Sequence, residues 1–175
     1  MSKSTDQLID EVVHTFMERD IIRPKDIQTV GGFKSYSLGS GAYRRVYKLC
    51  GIPLVVKFPL TELECDKKHS ILEYKAWGRI IRGQRKYKKL IPYLPKMYFI
   101  DDTAGVLISQ YCTPLNHSRM KSYARQIAAM VGDIVDLTWD GRMYGTKDMH
   151  YENMGIDEHG QIKIIDMGFF YRNYR

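Results

Sequence analysis

Near its end, the chain carries acidic and amide side chains at a spacing suited to holding a hard cation. Asn153 follows Asp148 by five positions, and Asp166 follows it by eighteen, in the triplet Asp166-Met167-Gly168. Hard cations prefer oxygen ligands, which carboxylates and amides on two short rigid loops can supply. At residue frequencies near ~5%, chance would place this pattern in about one such chain in a thousand. The alternative, a set of turn-forming Asp and Asn residues, is therefore disfavoured.

Two further features lie nearer the N-terminus, a pair of glycines and a lysine in an apolar run. Gly39 and Gly41 lie between two strand-like runs, where missing side chains let backbone N–H groups approach phosphate oxygens. A tight glycine hairpin without a ligand explains the same two residues. Lys57 lies inside the apolar run 54–58, where a cation is costly unless it is paired. The alternative is a lysine at a sheet edge whose ammonium group reaches solvent.

Hydrophobic periodicity predicts the elements that position these residues. Leu8, Val12 and Phe16 recur at helical spacing, and Ser4 with Gln7 has the pattern of a capping box, so a helix is expected over 5–19. The same periodicity predicts helices over 61–81 and about 120–137. Short apolar runs between turn residues predict strands over 33–38, 42–49, 54–58, 96–100, 106–111, 154–156 and 162–165. This order predicts an α+β fold with an antiparallel sheet first and helices later.

Together these features resemble the protein kinase superfamily over roughly residues 33–169. The resemblance implies a bilobal fold, with an antiparallel-sheet N-lobe and a reduced helical C-lobe that ends after the metal-binding Asp-x-Gly. It implies MgATP as the phosphate donor. In that scheme Asp148 would accept or orient the proton of the attacking hydroxyl, and Asn153 and Asp166 would bind Mg²⁺. The expected divisions are an N-terminal helix and linker at 1–32, the N-lobe at 33–112 and the minimal C-lobe at 113–175.

The resemblance assigns the nucleotide to the glycine loop, its flanking strands and a hinge. Lys57 would contact the α- and β-phosphates and pair with Glu73, for which Glu62 and Glu64 are rivals. Ser109 takes the gatekeeper position, where a small side chain leaves a roomy pocket behind the adenine. Plain strand packing is the alternative explanation for the hinge residues. The expected nucleotide-binding residues are Leu38, Gly39, Ser40, Gly41, Val46, Lys57, Gln110 and Cys112.

The sequence departs from the kinase pattern at several positions. Arg44 replaces the third glycine of the loop, so a less close-fitting loop is expected. Thr146 and Lys147 replace the His-Arg before the catalytic aspartate, which argues against control by a phosphorylated activation loop. His150 creates an Asp-x-His-x-x-Asn pattern. This pattern is similar to small-molecule phosphotransferases of the aminoglycoside and choline type, to host-modifying kinases of bacteriophages and to small kinase effectors of bacterial pathogens. Seven residues follow Gly168, so no peptide-binding helices are expected there.

Charge, apolar runs and cysteine content limit which partners and which cell compartment are expected for this protein. The 175 residues include 27 Lys and Arg against 20 Asp and Glu, and the net charge of +7 favours an acidic partner. No apolar run approaches the ~18 residues of a membrane span, and the N-terminus has no apolar signal region. Three cysteines without a Cys-x-x-Cys argue against a disulfide framework or a zinc site. We therefore expect a cytoplasmic protein, including the cytoplasm of a host, with no membrane partner.

Three functions fit these features, in decreasing order of preference. The first is a minimal Ser/Thr-type protein kinase that modifies itself or a host protein. The second is a kinase-like binding module, a pseudokinase, that docks on a partner protein. The third is a basic nucleic-acid-binding protein on a kinase scaffold. It is less favoured because a charge run is a weak signal, and a solvated helix end and loop is the preferred explanation of this one. That run comprises Arg79, Arg82, Arg85, Lys86, Lys88 and Lys89.

Overall fold

The computed structural model describes residues 3–18, 29–83, 85–138 and 151–166. The chain forms two compact units, and each has a sheet of its own. Unit 1 comprises Met1–Ile71 and Lys96–Tyr111, and unit 2 comprises Leu72–Pro95 and Cys112–Arg175.

Unit 1 is built on a six-stranded antiparallel sheet with the strand order β1-β2-β3-β4-β6-β5. A helix, α1 (Thr5–Glu18), precedes it in the chain. The strands are β1 (Thr29–Val30), β2 (Phe33–Ser40), β3 (Arg44–Leu49), β4 (Leu54–Pro59), β5 (Met97–Asp101) and β6 (Val106–Gln110).

One face of this sheet forms the apolar core of unit 1 together with α1. Tyr47 of β3 pairs directly with Val56 of β4, so the two side chains lie on the same face. They belong to a buried cluster with the α1 side chains Ile9, Val12 and Phe16. The helical spacing of these three residues therefore places the apolar stripe of α1 in the core.

The beginning of α1 has the capping box expected from Ser4 and Gln7. The Ser4 N–H donates to Gln7 Oε1 at 2.9 Å, and the Gln7 N–H donates to Ser4 Oγ at 3.3 Å. Two backbone donors that the helix itself cannot satisfy are thereby satisfied.

The second helix, α2 (Glu64–Arg82), begins with a cap built on Asp66. Asp66 Oδ2 accepts hydrogen bonds from the Thr61 backbone N–H at 2.9 Å and from the Thr61 hydroxyl at 2.6 Å. The side-chain hydrogen bond from Thr61 lowers the pKa of the Asp66 carboxyl below its ordinary value. A carboxylate in the first turn is also favoured by the helix dipole.

Gly105, in the turn between β5 and β6, lies in close contact with α2. A Cβ added there would lie 2.7 Å from the Lys67 Cα, and the residue has a positive φ of 71°. Only glycine satisfies both conditions without displacing backbone. This close approach holds the N-terminal part of α2 against the β5–β6 turn.

The described part of unit 2 contains the rest of α2, one further α-helix and a small sheet. The α-helix is α3 (Ala124–Thr138), and the antiparallel strands are β7 (Thr113–Pro114), β8 (Met154–Ile156) and β9 (Ile162–Ile164). The 3₁₀ segments described there are Arg85–Tyr93, Met120–Tyr123 and Tyr151–Asn153.

In unit 2, polar side chains connect the 3₁₀ segment Arg85–Tyr93 to β9 and to α3. Lys163, which is nearly buried, donates to the Pro92 carbonyl at 2.7 Å and pairs with the buried Asp157 at 3.4 Å. Tyr93 Oη donates to Asp133 Oδ2 at 2.9 Å, which ties the first 3₁₀ segment to α3. Burial, followed by this carboxylate, raises the pKa of Tyr93. These contacts hold the 3₁₀ segment Arg85–Tyr93, which follows α2, against α3 and β9.

The predicted α+β fold is confirmed, and so are the expected helices and strands, with boundary shifts of a few residues. The expectation of a loop after α2 was wrong, because Arg85–Tyr93 is a 3₁₀ helix anchored by Leu90, Pro92 and Tyr93. The two-residue strands β1 and β7 were not anticipated, since pairs of residues have no periodicity to detect. Within the described ranges, no helix has the length and apolarity needed to cross a membrane.

We predict that Gly105→Ala lowers the free energy of unfolding by at least about 2 kcal/mol. The positive φ and the close approach to Lys67 each oppose a side chain there. The measurement is urea unfolding followed by circular dichroism. Gly132→Ala in α3 is the matched control, because its Cβ would meet no atom within 4 Å, and it is expected to add about 0.5–1 kcal/mol. Equal stability of Gly105→Ala and wild type would contradict the prediction.

We further predict that Asp66→Asn destabilises the protein at neutral pH and that its difference from wild type shrinks on acidification. Because the folded-state pKa of Asp66 is lowered, its ionised form contributes stability above the unfolded-state pKa of ~4, which is lost as the pH falls through the folded value. Thermal unfolding from pH 7 to pH 3 measures the difference. The exposed Asp10→Asn provides the control, and a pH-independent difference for Asp66→Asn would be the contrary result.

Candidate functional site

The predicted glycine loop is the turn that joins β2 to β3. A register shift occurs between Ser37 and Gly39, and Gly39 takes a φ of 142°, where other residues are strained. The turn is closed by a hydrogen bond from the Gly41 N–H to the Arg44 carbonyl at 2.9 Å. A Cβ at Gly41 would meet no atom within 4 Å, so the fold does not require glycine there.

The tip of this turn is fastened to other parts of unit 1. The Leu60 N–H at the end of β4 donates to the Tyr43 carbonyl at 2.7 Å. The Tyr43 ring stacks on His69 of α2, with ring centroids 3.7 Å apart and planes 15° from parallel. Sequence reasoning missed this contact, because nothing in the spacing of Tyr43 and His69 relates the turn to the helix.

The structure brings Val46 and Lys57 together on one face of the sheet. They are direct partners in the β3–β4 pair, and Lys57 also pairs with Leu107 of β6. Lys57 is only 5% exposed, which excludes the sheet-edge alternative. Ser109, at the predicted gatekeeper position, pairs with Val55 and is also buried on this face. The expected nucleotide-binding strand positions thus lie opposite the core face that carries Tyr47 and Val56.

The predicted hinge begins at the end of β6. The Gln110 N–H donates to the Lys96 carbonyl at 2.8 Å, and the Tyr111 N–H donates to the Pro53 carbonyl at 2.8 Å. Lys48 lies over the Tyr111 ring at 4.5 Å, so this ring is held on unit 1 by a cation–π contact. Cys112, in unit 2, is buried at 4% exposure. Leu38, the first of the predicted nucleotide contacts, is 37% exposed on β2.

In unit 2, the hairpin of β8 and β9 brings Asn153 and Asp166 to the same end. The Ile165 N–H donates to the Asn153 carbonyl at 2.9 Å, directly beyond the Met154–Ile164 pair. Asp166 follows Ile165 by one residue, so its carboxylate and the Asn153 amide start from neighbouring backbone positions. The donor chemistry, one amide and one carboxylate oxygen, suits a hard divalent cation.

Of the three glutamates considered as the partner of Lys57, Glu73 has the most distinctive environment. It is fully buried at 0% exposure on α2, whereas Glu62 is exposed and pairs with Lys67 at 3.4 Å. Glu64 is also exposed. A buried carboxylate needs compensation in a way that an exposed one does not. Glu73 lies in unit 2 and Lys57 in unit 1, and their pairing stays a prediction.

Asp148, the predicted catalytic residue, lies outside the described residues, as do Thr146, Lys147, His150 and Gly168. Among the residues that are described, no group of three or more His, Cys, Asp or Glu side chains forms a metal cluster. The pair of Asn153 and Asp166, one amide and one carboxylate, is not a cluster of this kind, and its binding of Mg²⁺ stays a prediction.

Comparisons with known proteins found similarity to solved structures but not to known sequences. No protein-family model matches the sequence, and no curated protein matches it. Among solved structures, the chain is similar to a co-crystal structure of WbdD with the kinase inhibitor LY294002, with a TM-score of 0.42 and 13% sequence identity. The similarity covers 80% of this chain and 34% of that one, so this chain spans about a third of the length of the matched protein.

We predict that alanine substitution lowers the stability of the protein at Gly39 but not at Gly41. Gly39→Ala is expected to lower the free energy of unfolding by about 1–3 kcal/mol, because alanine is strained at a φ of 142°. Gly41→Ala is expected to leave it unchanged or raise it by up to about 1 kcal/mol, because its Cβ enters open space. Urea unfolding of both variants tests this, and a loss of stability in Gly41→Ala equal to that in Gly39→Ala would refute it.

Proposed function

We propose that the protein is a MgATP-dependent phosphotransferase, and specifically a minimal Ser/Thr protein kinase that modifies itself or another protein. The observation that carries the proposal is the 2.9 Å hydrogen bond from the Ile165 N–H to the Asn153 carbonyl. Because this bond joins the backbones at one end of the hairpin, it supports a site in which the Asn153 amide and the Asp166 carboxylate act together. The spacing of both residues from Asp148 fits the kinase pattern.

The metal ligands would be Asn153 and Asp166. Each offers a side-chain oxygen from a backbone held by the β8–β9 ladder, so the ligands would need little reorganisation to bind. When bound, MgATP would supply the γ-phosphoryl group and a cation that offsets charge on the phosphate oxygens.

The phosphates would lie against Lys57 and the glycine turn. Lys57 is buried on the face that also carries Val46, its direct partner in the ladder. The open space at Gly41 supports this assignment, because the fold itself gives no reason for glycine there. Glu73 would orient Lys57 as its ion-pair partner.

The base would pack on the apolar part of the same face. Val46 and Leu38 would contact one side of the ring, and the backbone at Gln110 and Cys112 would meet its polar edge. Ser109 is small and 1% exposed, so the wall behind the base would be formed by a side chain of low volume.

Asp148 would act as the general base. Its carboxylate would accept the proton of a serine or threonine hydroxyl as that oxygen forms its bond to the γ-phosphorus and the bond to the departing ADP oxygen breaks. Phosphoryl transfer depends mainly on positioning and charge neutralisation, so these few side chains suffice for the reaction.

We predict that the purified protein transfers label from γ-labelled ATP to itself or to a lysate protein in the presence of Mg²⁺. Asp148→Ala and Asp166→Ala are each expected to lower the rate at least about 100-fold, because one removes the base and the other a metal ligand. Acid hydrolysis of the labelled product should release phosphoserine or phosphothreonine. Chelation of Mg²⁺ should abolish labelling.

The exposed turn residue Asp102 offers a matched control, and Asp102→Ala is expected to label at the wild-type rate. Equal labelling by wild type, Asp148→Ala and Asp166→Ala would refute the enzymatic proposal. Thermal stabilisation by MgATP without transfer would point to the binding-module alternative instead. A salt-dependent shift with RNA or DNA, without any response to ATP, would favour the nucleic-acid-binding alternative.

A further inference from the structure

The chain that follows β7 leaves the small sheet of unit 2 at the end that carries the candidate metal ligands. β7 and β8 are antiparallel, and Pro114 lies opposite Gly155. The Leu115 N–H then donates to the Met154 carbonyl at 2.9 Å. Because Met154 directly follows Asn153, the direction of β7 carries the chain towards Asn153 and away from the turn of the β8–β9 hairpin.

A ring contact continues this approach beyond the strands. His117 and Tyr151 meet edge to face, with ring centroids 6.1 Å apart and planes at 87° to each other. Tyr151 begins the 3₁₀ segment Tyr151–Asn153. Next to this contact a turn forms at Asn116, whose Oδ1 accepts the Arg119 N–H at 3.0 Å. The backbone of Arg119 is thereby held two residues from a ring that touches the segment containing a candidate metal ligand.

This stretch of chain is basic, and it carries no acidic residue. Between β7 and Asp133 the sequence has the cations Arg119, Lys121 and Arg125 and neither Asp nor Glu. All three side chains are exposed. None of them forms an ion pair with another residue of the described ranges.

The three cations differ in their distance from the candidate metal ligands. The start of α3 lies near the opposite end of the hairpin, where Gln126 Nε2 donates to the Gly160 carbonyl at 3.2 Å. Arg125 directly precedes Gln126 and therefore lies near the hairpin turn. Arg119 is held at the end with the candidate ligands by the Asn116 turn, and Lys121 lies between the two along the chain.

Two carboxylates lie at the same end as Arg119, and they do not neutralise it. Glu152 is exposed within the 3₁₀ segment, and Asp166 would be a ligand of Mg²⁺ in the proposed function. Among the described residues, neither carboxylate pairs with Arg119 or with Lys121. These two cations therefore fit a partner that brings carboxylates of its own, with which a guanidinium group forms two parallel hydrogen bonds.

We infer that Arg119 and Lys121 recognise acidic side chains of the protein acceptor, so that the segment carrying the acceptor hydroxyl is an acidic peptide. The inference rests on the proposed function, because it takes the end with Asn153 and Asp166 as the place of phosphate transfer. An acceptor hydroxyl must reach the phosphate there, so Asp or Glu residues a few positions from it would meet the two cations. Two cations suit one or two carboxylates, whereas nucleic-acid-binding proteins commonly neutralise about 6–10 phosphates.

Phosphorylation of synthetic peptides by the full chain with MgATP tests this inference. The peptides share one serine and differ in the flanking residues, which are Asp and Glu, Asn and Gln, or Lys. The wild-type protein is expected to have its highest kcat/KM for the acidic peptide. The ratio of kcat/KM for the acidic peptide to that for the neutral one is expected to fall about 2- to 5-fold in Arg119→Gln, and about 3- to 10-fold when Lys121→Gln is added. The loss should lie mainly in KM, since it concerns binding.

Arg125→Gln is the matched control, because it removes an exposed cation of the same stretch near the hairpin turn, and its ratio is expected to equal that of wild type. Charge reversal by Arg119→Glu with Lys121→Glu should shift the preference to the Lys peptide. Circular dichroism establishes that each variant folds.

Equal kcat/KM of the wild-type protein for the three peptides, an unchanged ratio in the double Gln variant, or an equal fall in Arg125→Gln would overturn the inference and leave the proposed function intact. Tighter binding of a single-stranded oligonucleotide than of the acidic peptide, measured by fluorescence anisotropy and lost in the double variant, would also overturn it, because these cations would then serve nucleic acid. A wild-type protein that transfers no phosphate to itself or to any peptide would overturn the proposed function and the inference together.

Discussion

The unbroken register between β3 and β4 is the constraint on which the candidate site of unit 1 depends. A slip of one residue would exchange the two faces, moving Lys57 into the apolar core and Val56 out of it. The register is held by burial on the other face, where Tyr47 and Val56 pack in one cluster with the apolar stripe of α1. Burial of apolar area by a helix remote from the glycine turn therefore decides which side chains lie on the same face as Lys57.

In unit 2, the positions of the candidate metal ligands Asn153 and Asp166 depend on local interactions instead. Asn153 and Asp166 are adjacent because β8 and β9 form a hairpin, and its turn is stabilised by Asp157 Oδ1, which accepts the backbone N–H groups of His159 and Gln161 at 2.9 and 2.8 Å. Lys163 compensates this buried carboxylate at 3.4 Å. α3 adds the Gln126 side chain, whose Oε1 accepts the Ile162 N–H at 3.0 Å. The position of the two oxygen donors is thus fixed by short-range hydrogen bonds around one turn.

Sequence patterns predicted the features that depend on local periodicity and missed those that depend on three-dimensional packing. The helices, most strands and the capping box of Ser4 and Gln7 follow from spacing alone. Asn153 and Asp166 start from neighbouring backbone positions because a short hairpin joins them, and their role as metal ligands stays a prediction. The burial of Arg44 and the stacking of Tyr43 on His69 could not be foreseen, because each requires knowing how strands or a helix pack against the turn. The 3₁₀ helix Arg85–Tyr93 was missed for the same reason, since its anchors lie on α3 and β9.

One face of the unit 1 sheet buries two cationic side chains, Arg44 and Lys57, and their burial affects the stability of the fold. Whatever their partners within the chain, two cations brought out of water onto neighbouring positions repel each other and lose hydration, which opposes folding. Lysine can relieve such strain by releasing its proton, but a guanidinium group cannot. An anion that binds only the folded face offsets both costs, so its binding energy is partly stabilisation of the fold. A buried guanidinium group is therefore favourable at Arg44 only where hydrogen bonds or opposite charges compensate it, from the chain itself or from a ligand.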